Sequence, residues 1–167
     1  GSGHIRDTES SALQILRMDL DSCQFHLTEG RVYVLNRAPK RSVLQFDTPD
    51  ASIRAFGNAR FRIDIPGGET DVSVFRGSVQ TENGDGTTTV RAGNMLAVGT
   101  DGYVELSPLP PPDDWQRWNA QRDRIVLARG KSYGYLPEEL RAYSSDFEEN
   151  GRWVNVPEYG TVWTPTV

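Results

Sequence analysis

The chain has 167 residues, 37 % of them hydrophobic and 25 % charged, with a formal net charge of −5 and one cysteine. This length buries a core unaided, and a lone Cys23 excludes an internal disulfide. The negative balance, with no Lys/Arg cluster, argues against a nucleic-acid partner, and no stretch nears the roughly 20 apolar residues of a membrane span.

In chain order, Gly1-Ser2-Gly3-His4 reads as an expression scar outside the fold. The chain then starts mid-protein at about Ile5 and stops abruptly at Val167, as a fragment does; a signal peptide is expected in the precursor. From Leu13 to Leu106 the dominant hydrophobic period is two. Leu13, Ile15 and Met18 open it, a polar turn follows at Asp19 to Ser22, and Phe25 and Leu27 alternate with Gln24, His26 and Thr28. Val32 and Val34 alternate with Arg31, Tyr33 and Leu35, and Val43, Gln45 and Asp47 with Leu44 and Phe46. The pattern continues through Ile53, Phe61, Ile63, Ile65, Val72, Val74, Val79, Val90, Leu96, Val98, Val104 and Leu106. Such alternation marks strands with one buried and one wet face, and Gly/Asn/Asp clusters punctuate them. About nine short strands are expected. The segment 5–106 is read as all-β.

Two stretches inside it are alike. Phe25–Val34 and Val72–Thr81 each place an alternating strand, a glycine (Gly30, Gly77) and a second alternating strand in sequence, with a fainter copy around Gly102. A glycine there lets the chain turn a corner at positive φ without a Cβ clash. Stacked corners suit a solenoid-like or a sandwich-like sheet pair. Asn83-Gly84-Asp85-Gly86 reads as a type I′ hairpin turn rather than a calcium loop.

Residues 107–112 form a Pro-rich connector, and 113–167 a separate helical and aromatic-hairpin segment. Asp113 or Asp114 caps a helix expected to run to about Arg129, with Trp115, Trp118, Arg122 and Ile125 on one face docking back on the β-module. A second helix is expected from Pro137 to Ser145. The carboxylates Glu138, Glu139, Asp146, Glu148 and Glu149 read as a solvated surface. Trp153, Tyr159 and Trp163 lie in a β-hairpin-like stretch from Gly151 to Pro165.

The run Phe46–Gly57, with its Thr48-Pro49 turn, followed by Ala59–Ile63, resembles the core signature of the FecR family. Val72-Ser73-Val74-Phe75-Arg76-Gly77-Ser78-Val79 and Val90-Arg91-Ala92-Gly93 resemble two further elements of that family. The likeness covers about Phe25 to Val98. The C-terminal segment is similar to that of uncharacterised bacterial FecR-like proteins with Trp/Tyr/Gly-rich tails, in which further strands usually precede the present start. Better-known members are inner-membrane proteins whose periplasmic domain helps carry a signal from an outer-membrane siderophore receptor to a sigma factor. The resemblance therefore implies a mainly-β fold, a periplasmic or cell-envelope location and a protein partner. It supplies no catalytic residues, and the cytoplasmic segment and membrane helix of the signalling system are not in this chain.

Residue chemistry points the same way. The histidines are His4, in the scar, and His26, on a strand face; neither has a nucleophile or carboxylate partner at a telling spacing, and no His/Cys set has zinc-ligand spacing. Cys23 reads as a buried structural thiol. No catalytic residue, cofactor or metal is expected. The candidate interaction surface is Trp115, Trp118, Trp153, Tyr159 and Trp163. Two functions stay open: a non-catalytic protein-interaction or scaffolding module of the envelope, and a glycan- or peptidoglycan-binding module using the C-terminal aromatics. Neither nucleic-acid binding nor membrane insertion is expected, and the sequence carries no signal for oligomeric state.

Overall fold

The computed structural model describes residues 3–19, 21–37, 42–127, 132–137, 139–140, 147 and 150–166. It divides into two compact units, Gly1–Pro111 and Pro112–Val167. The first unit is all-β. Its strands are β1 (Gly3–Asp7), β2 (Ala12–Met18), β3 (Ser22–Asn36), β4 (Val43–Asp47), β5 (Ser52–Phe56), β6 (Ala59–Ile65), β7 (Thr70–Arg76), β8 (Ser78–Asn83), β9 (Gly86–Arg91), β10 (Asn94–Val98) and β11 (Val104–Pro108).

These strands make two six-stranded layers joined through one strand. Sheet 1 runs β1-β3-β6-β7-β10-β11 and sheet 2 runs β2-β3-β4-β5-β8-β9. The strand β3 belongs to both: Cys23 to Glu29 pair with β2, and Gly30 to Asn36 pair with β6. Of the two architectures left open by the corner pattern, the layers make a sandwich. The pairing of β3 with β4 is parallel, while the other pairings are antiparallel.

The core forms where the inward residues of the two layers meet. Phe25, Phe46, Ile53, Val79 and Val90 come from sheet 2, and Val32, Phe61, Ile63, Val72, Val74 and Leu96 from sheet 1; all are buried. Phe46 stacks on Phe25 with centroids 5.1 Å apart and meets Phe61 of the other layer edge-on at 6.1 Å. Each fully buried side chain of this size contributes on the order of 1.5–3 kcal/mol. The alternation departs from expectation in the second half of β3, where Tyr33 and Leu35 are as buried as Val32 and Val34. Tyr33 faces away from the core, stacked at 5.8 Å on Phe75 with Arg6 over its ring.

Both predicted corner glycines sit where the chain passes from one layer to the other. Gly30 has φ +89° and lies inside a continuous β3, not in a turn between two strands. Gly77 has φ +73° and joins β7 of sheet 1 to β8 of sheet 2. A Cβ on Gly30 would overlap Ser11, and one on Gly77 would overlap the Asn58 carbonyl oxygen. Gly102 also has positive φ, yet it lies in the β10–β11 connection within sheet 1, so it is no third corner.

The partners of β3 bend with it. Strand β1 follows its second half and β2 its first half, with Thr8–Ser11 bridging the break opposite Gly30. Ser11 Oγ accepts from the Arg31 N–H at 3.0 Å, donates to the Arg31 carbonyl at 3.0 Å and accepts from the Thr8 N–H at 3.2 Å. One hydroxyl thus replaces the ladder bonds the corner interrupts. Gly3 and His4, set aside in the sequence as a scar, are part of this arrangement, paired with Asn36 and Leu35.

A second hydroxyl ties the layers at the Thr48–Ala51 turn between β4 and β5. Thr48 Oγ1 accepts from the Ala51 N–H at 3.1 Å and lies 2.8 Å from Thr70 Oγ1 of β7, in the opposite layer. The β8–β9 turn is not type I′, because among the described residues no non-glycine residue has positive φ and Gly84 is not among the positive-φ glycines. Asn83 Oδ1 instead accepts from the Asp85 N–H at 3.2 Å.

Ser11→Ala is expected to cost about 1–3 kcal/mol, since it strips hydrogen bonds from Arg31 and Thr8. Urea unfolding checks this, with the exposed Ser78→Ala as a control shifting stability by no more than ~0.5 kcal/mol.

Candidate functional site

In the second unit, helix α1 (Asp114–Leu127) starts as its residues dictate. Asp113 caps it by accepting from the Gln116 N–H at 2.7 Å, and Asp114 in the first turn pairs with Arg117. Its buried face is not the expected aromatic stripe. Asn119, Asp123 and Val126 are buried with Trp115 half-buried, whereas Trp118 is 45 % exposed with Arg122 over its ring at 5.3 Å. Large apolar residues suggested one stripe; buried Asn119 and Asp123 define another, offset by about one residue.

The hairpin pairs β12 (Gly151–Val156) with β13 (Gly160–Pro165). Trp153 and Trp163 are directly opposite each other in its register. Tyr135, in the short helix α2 (Ser132–Tyr135), packs on Trp153 at 5.2 Å. Phe147 meets Trp163 edge-on at 5.2 Å, and its carbonyl accepts from the Trp163 indole N–H at 2.9 Å. The two hairpin tryptophans are therefore engaged in local packing, which gives a sugar-stacking platform no support. Tyr159, in the turn, is the exposed member at 79 %. The helix expected from Pro137 to Ser145 falls largely outside the described residues, as do Glu138, Asp146, Glu148 and Glu149 of the carboxylate group; Glu139 is exposed.

In the first unit, the outer face of sheet 2 carries two polar rows, each crossing all six strands. One row is Gln14, His26, Asp47, Ser52, Glu82 and Thr87; the other is Arg17, Gln24, Gln45, Arg54, Gln80 and Thr89. Asp47 is the hub. It accepts from Gln24 Nε2 at 2.6 Å, Gln45 Nε2 at 2.7 Å and Ser52 Oγ at 2.5 Å. Burial alone would raise the Asp47 carboxyl, but hydrogen bonds from Ser52, Gln24 and Gln45 and the His26 charge outweigh it and hold the group below its ordinary value.

His26, Asp47 and Ser52 are the residue types of a hydrolytic triad, in the wrong order. The carboxylate stands between the other two, so Ser52 donates to Asp47 and not to an imidazole that could activate it. Among the described residues no three His, Cys, Asp or Glu side chains converge as metal ligands. His26 also borders a shallow groove of about 220 Å³ with Ala12, Leu13, Gln14 and Thr28. Cys23 is half-buried, with its sulfur 3.9 Å from the Asp19 carbonyl oxygen.

The groove ends at the feature that sequence reasoning missed. Strand β2 pairs only with β3 among the described residues, leaving its other edge open. On it Ile15 is 58 %, Leu16 48 % and Met18 66 % exposed. A register shift between Ile15 and Arg17 marks a bulge at Leu16. Of the other edge strands, β9 is threonine-rich, β11 exposes one large apolar residue, Leu106, and ends in proline, and β1 holds one apolar side chain, Ile5, half-buried. Exposed apolar residues concentrated on an open edge mark a pairing surface, and the bulge with Arg17 discourages indiscriminate pairing. The signal was legible: Ile15-Leu16 breaks strict alternation, so both cannot face the core.

Residues 3–80, just under half of the chain, match the family model described as FecR protein, and that stretch is FecR-like. Two solved structures share the fold. One, a putative anti-sigma factor from Parabacteroides distasonis ATCC 8503 at 1.65 Å, is 12 % identical, with TM-score 0.58 over 99 % of this chain and 91 % of that one. The other, from the same organism at 2.50 Å under the same description, is 11 % identical, with TM-score 0.51 over 99 % of this chain and 100 % of that one. No curated protein matches the sequence. No described helix is long and apolar enough to cross a membrane.

Two carboxylates should respond oppositely to pH. The lowered Asp47 pKa contributes stability that is present above the unfolded value, about 3.9, and is lost as pH falls through the folded one. Asp71 is raised by burial and by Asp64 and Glu69, with Arg62 opposing, so ionising it destabilises the fold as pH rises. Asp47→Asn should therefore lower stability at pH 7 and Asp71→Asn raise it, with both effects fading toward pH 3 in thermal-unfolding series.

Proposed function

We propose that this FecR-like chain is a non-catalytic protein-interaction module of the bacterial cell envelope, engaging its partner by strand pairing along β2. The carrying observation is the open β2 edge with exposed Ile15, Leu16 and Met18. An incoming strand would satisfy the backbone groups of that edge, and covering each exposed side chain adds on the order of 1–2 kcal/mol.

The edge lies within the FecR-like residues, and the family match supports a periplasmic or envelope setting and a regulatory role. The likeness to the anti-sigma factor structures supports the fold on which that role would be carried. The polar network around Asp47 supports the non-catalytic reading, because its donors are spent on the carboxylate rather than aimed at a bound substrate.

A photocrosslinking amino acid placed at Leu16 in the protein expressed in a bacterial envelope should give discrete protein adducts. The same probe at Thr87, on the opposite edge strand β9, should not. Adducts of equal yield at both positions, or none at Leu16, would contradict the reading.

A further inference from the structure

Charge around the open edge restricts what can pair there. At the Ala12 end stand Asp7, Glu9 and Glu29, the last directly opposite Ala12 in the β2–β3 register; at the Met18 end stand Asp19 and Asp21. All five carboxylates are exposed. Among the described residues nearby, Arg6 lies over Tyr33 and Arg31 faces Asp64 at 3.9 Å, while Arg17 of β2 offsets Asp19, so Asp21 carries the charge of the Met18 end. The edge is thus apolar in its middle and acidic at both ends.

This pattern disfavours a second copy of the chain. In antiparallel self-pairing the Asp19/Asp21 end of one β2 would meet the Glu9/Glu29 end of the other. In parallel self-pairing each acidic end would meet its like. Like charges directly opposite are destabilising in a sheet.

We infer that the β2 edge is built for an extended segment of a different protein, apolar at its centre and basic at both ends. This rests on the strand-pairing reading above and adds the chemistry of the partner. The central apolar residues cover Ile15, Leu16 and Met18, and the flanking Lys or Arg side chains meet the two acidic ends. The attraction between exposed charges is modest per pair and screened by salt, so it selects the partner more than it holds it.

Two synthetic peptides separate the parts of the claim: a Val-Thr-Val-Thr-Val core with two lysines at each end, and the same core with two glutamates at each end. Titrated calorimetrically into the full chain at low salt, the basic peptide should bind roughly tenfold tighter, a gap that narrows at high salt. A Glu9→Lys/Asp21→Lys double variant should narrow the preference toward equality, and Ile15→Ser/Met18→Ser should weaken both peptides; circular dichroism confirms that each variant is folded. Equal binding of both peptides, lost in Ile15→Ser/Met18→Ser, overturns the charge inference and leaves strand pairing standing. Binding of neither peptide overturns both. Binding that persists in Ile15→Ser/Met18→Ser places the site elsewhere and overturns the inference.

Discussion

Both layers of the β-unit depend on the backbone of one residue. β3 is a 15-residue strand that serves sheet 2 before Gly30 and sheet 1 after it. To do so it must turn without breaking. Gly30 supplies a positive φ that a side chain would resist, and the space where its Cβ would sit is taken by Ser11. The Ser11 hydroxyl then closes the hydrogen bonds that the turn leaves open on Arg31. Gly77 repeats the device in the opposite sense, taking the chain from sheet 1 to sheet 2. Between the corners, Phe46 and Phe61 meet across the core.

The corner also determines where a partner can approach. Since β1 and β2 trace β3 on either side of the bend, β2 becomes the outermost strand of sheet 2. Its inward positions extend past the packed core, which leaves Ile15 and Met18 exposed although their register opposes Phe25 and Cys23. The family signature has a different role. Its Thr48 is a buried latch between layers, joined to Ala51 and Thr70. A residue that holds two sheets together is not available to a ligand, so recognition falls to the edge.

Period-two alternation made the mainly-β character legible, and positive-φ glycines in matching contexts made the two corners legible. Less was legible where both faces of a strand are covered. Tyr33 and Leu35 look solvent-facing by alternation, yet both are buried in the second half of β3, Tyr33 beneath Phe75 and Arg6. The α1 face was misjudged because burial there follows Asn119 and Asp123, which hydrophobic periodicity does not count. Trp153 and Trp163 pack against Tyr135 and Phe147, partners that could not be read from spacing along the chain. The β2 edge was visible as an irregularity at Ile15-Leu16, but only strand order shows that nothing pairs beyond it among the described residues.

Hydrogen exchange on Gly30→Ala, combined with its urea unfolding, tests the corner directly. A methyl group at that position should destabilise the protein by at least ~2 kcal/mol and lower amide protection in β6 of sheet 1 and β4 of sheet 2 together. Stability within ~0.5 kcal/mol of the parent, with protection unchanged in both layers, would show that the two sheets do not hang on this bend.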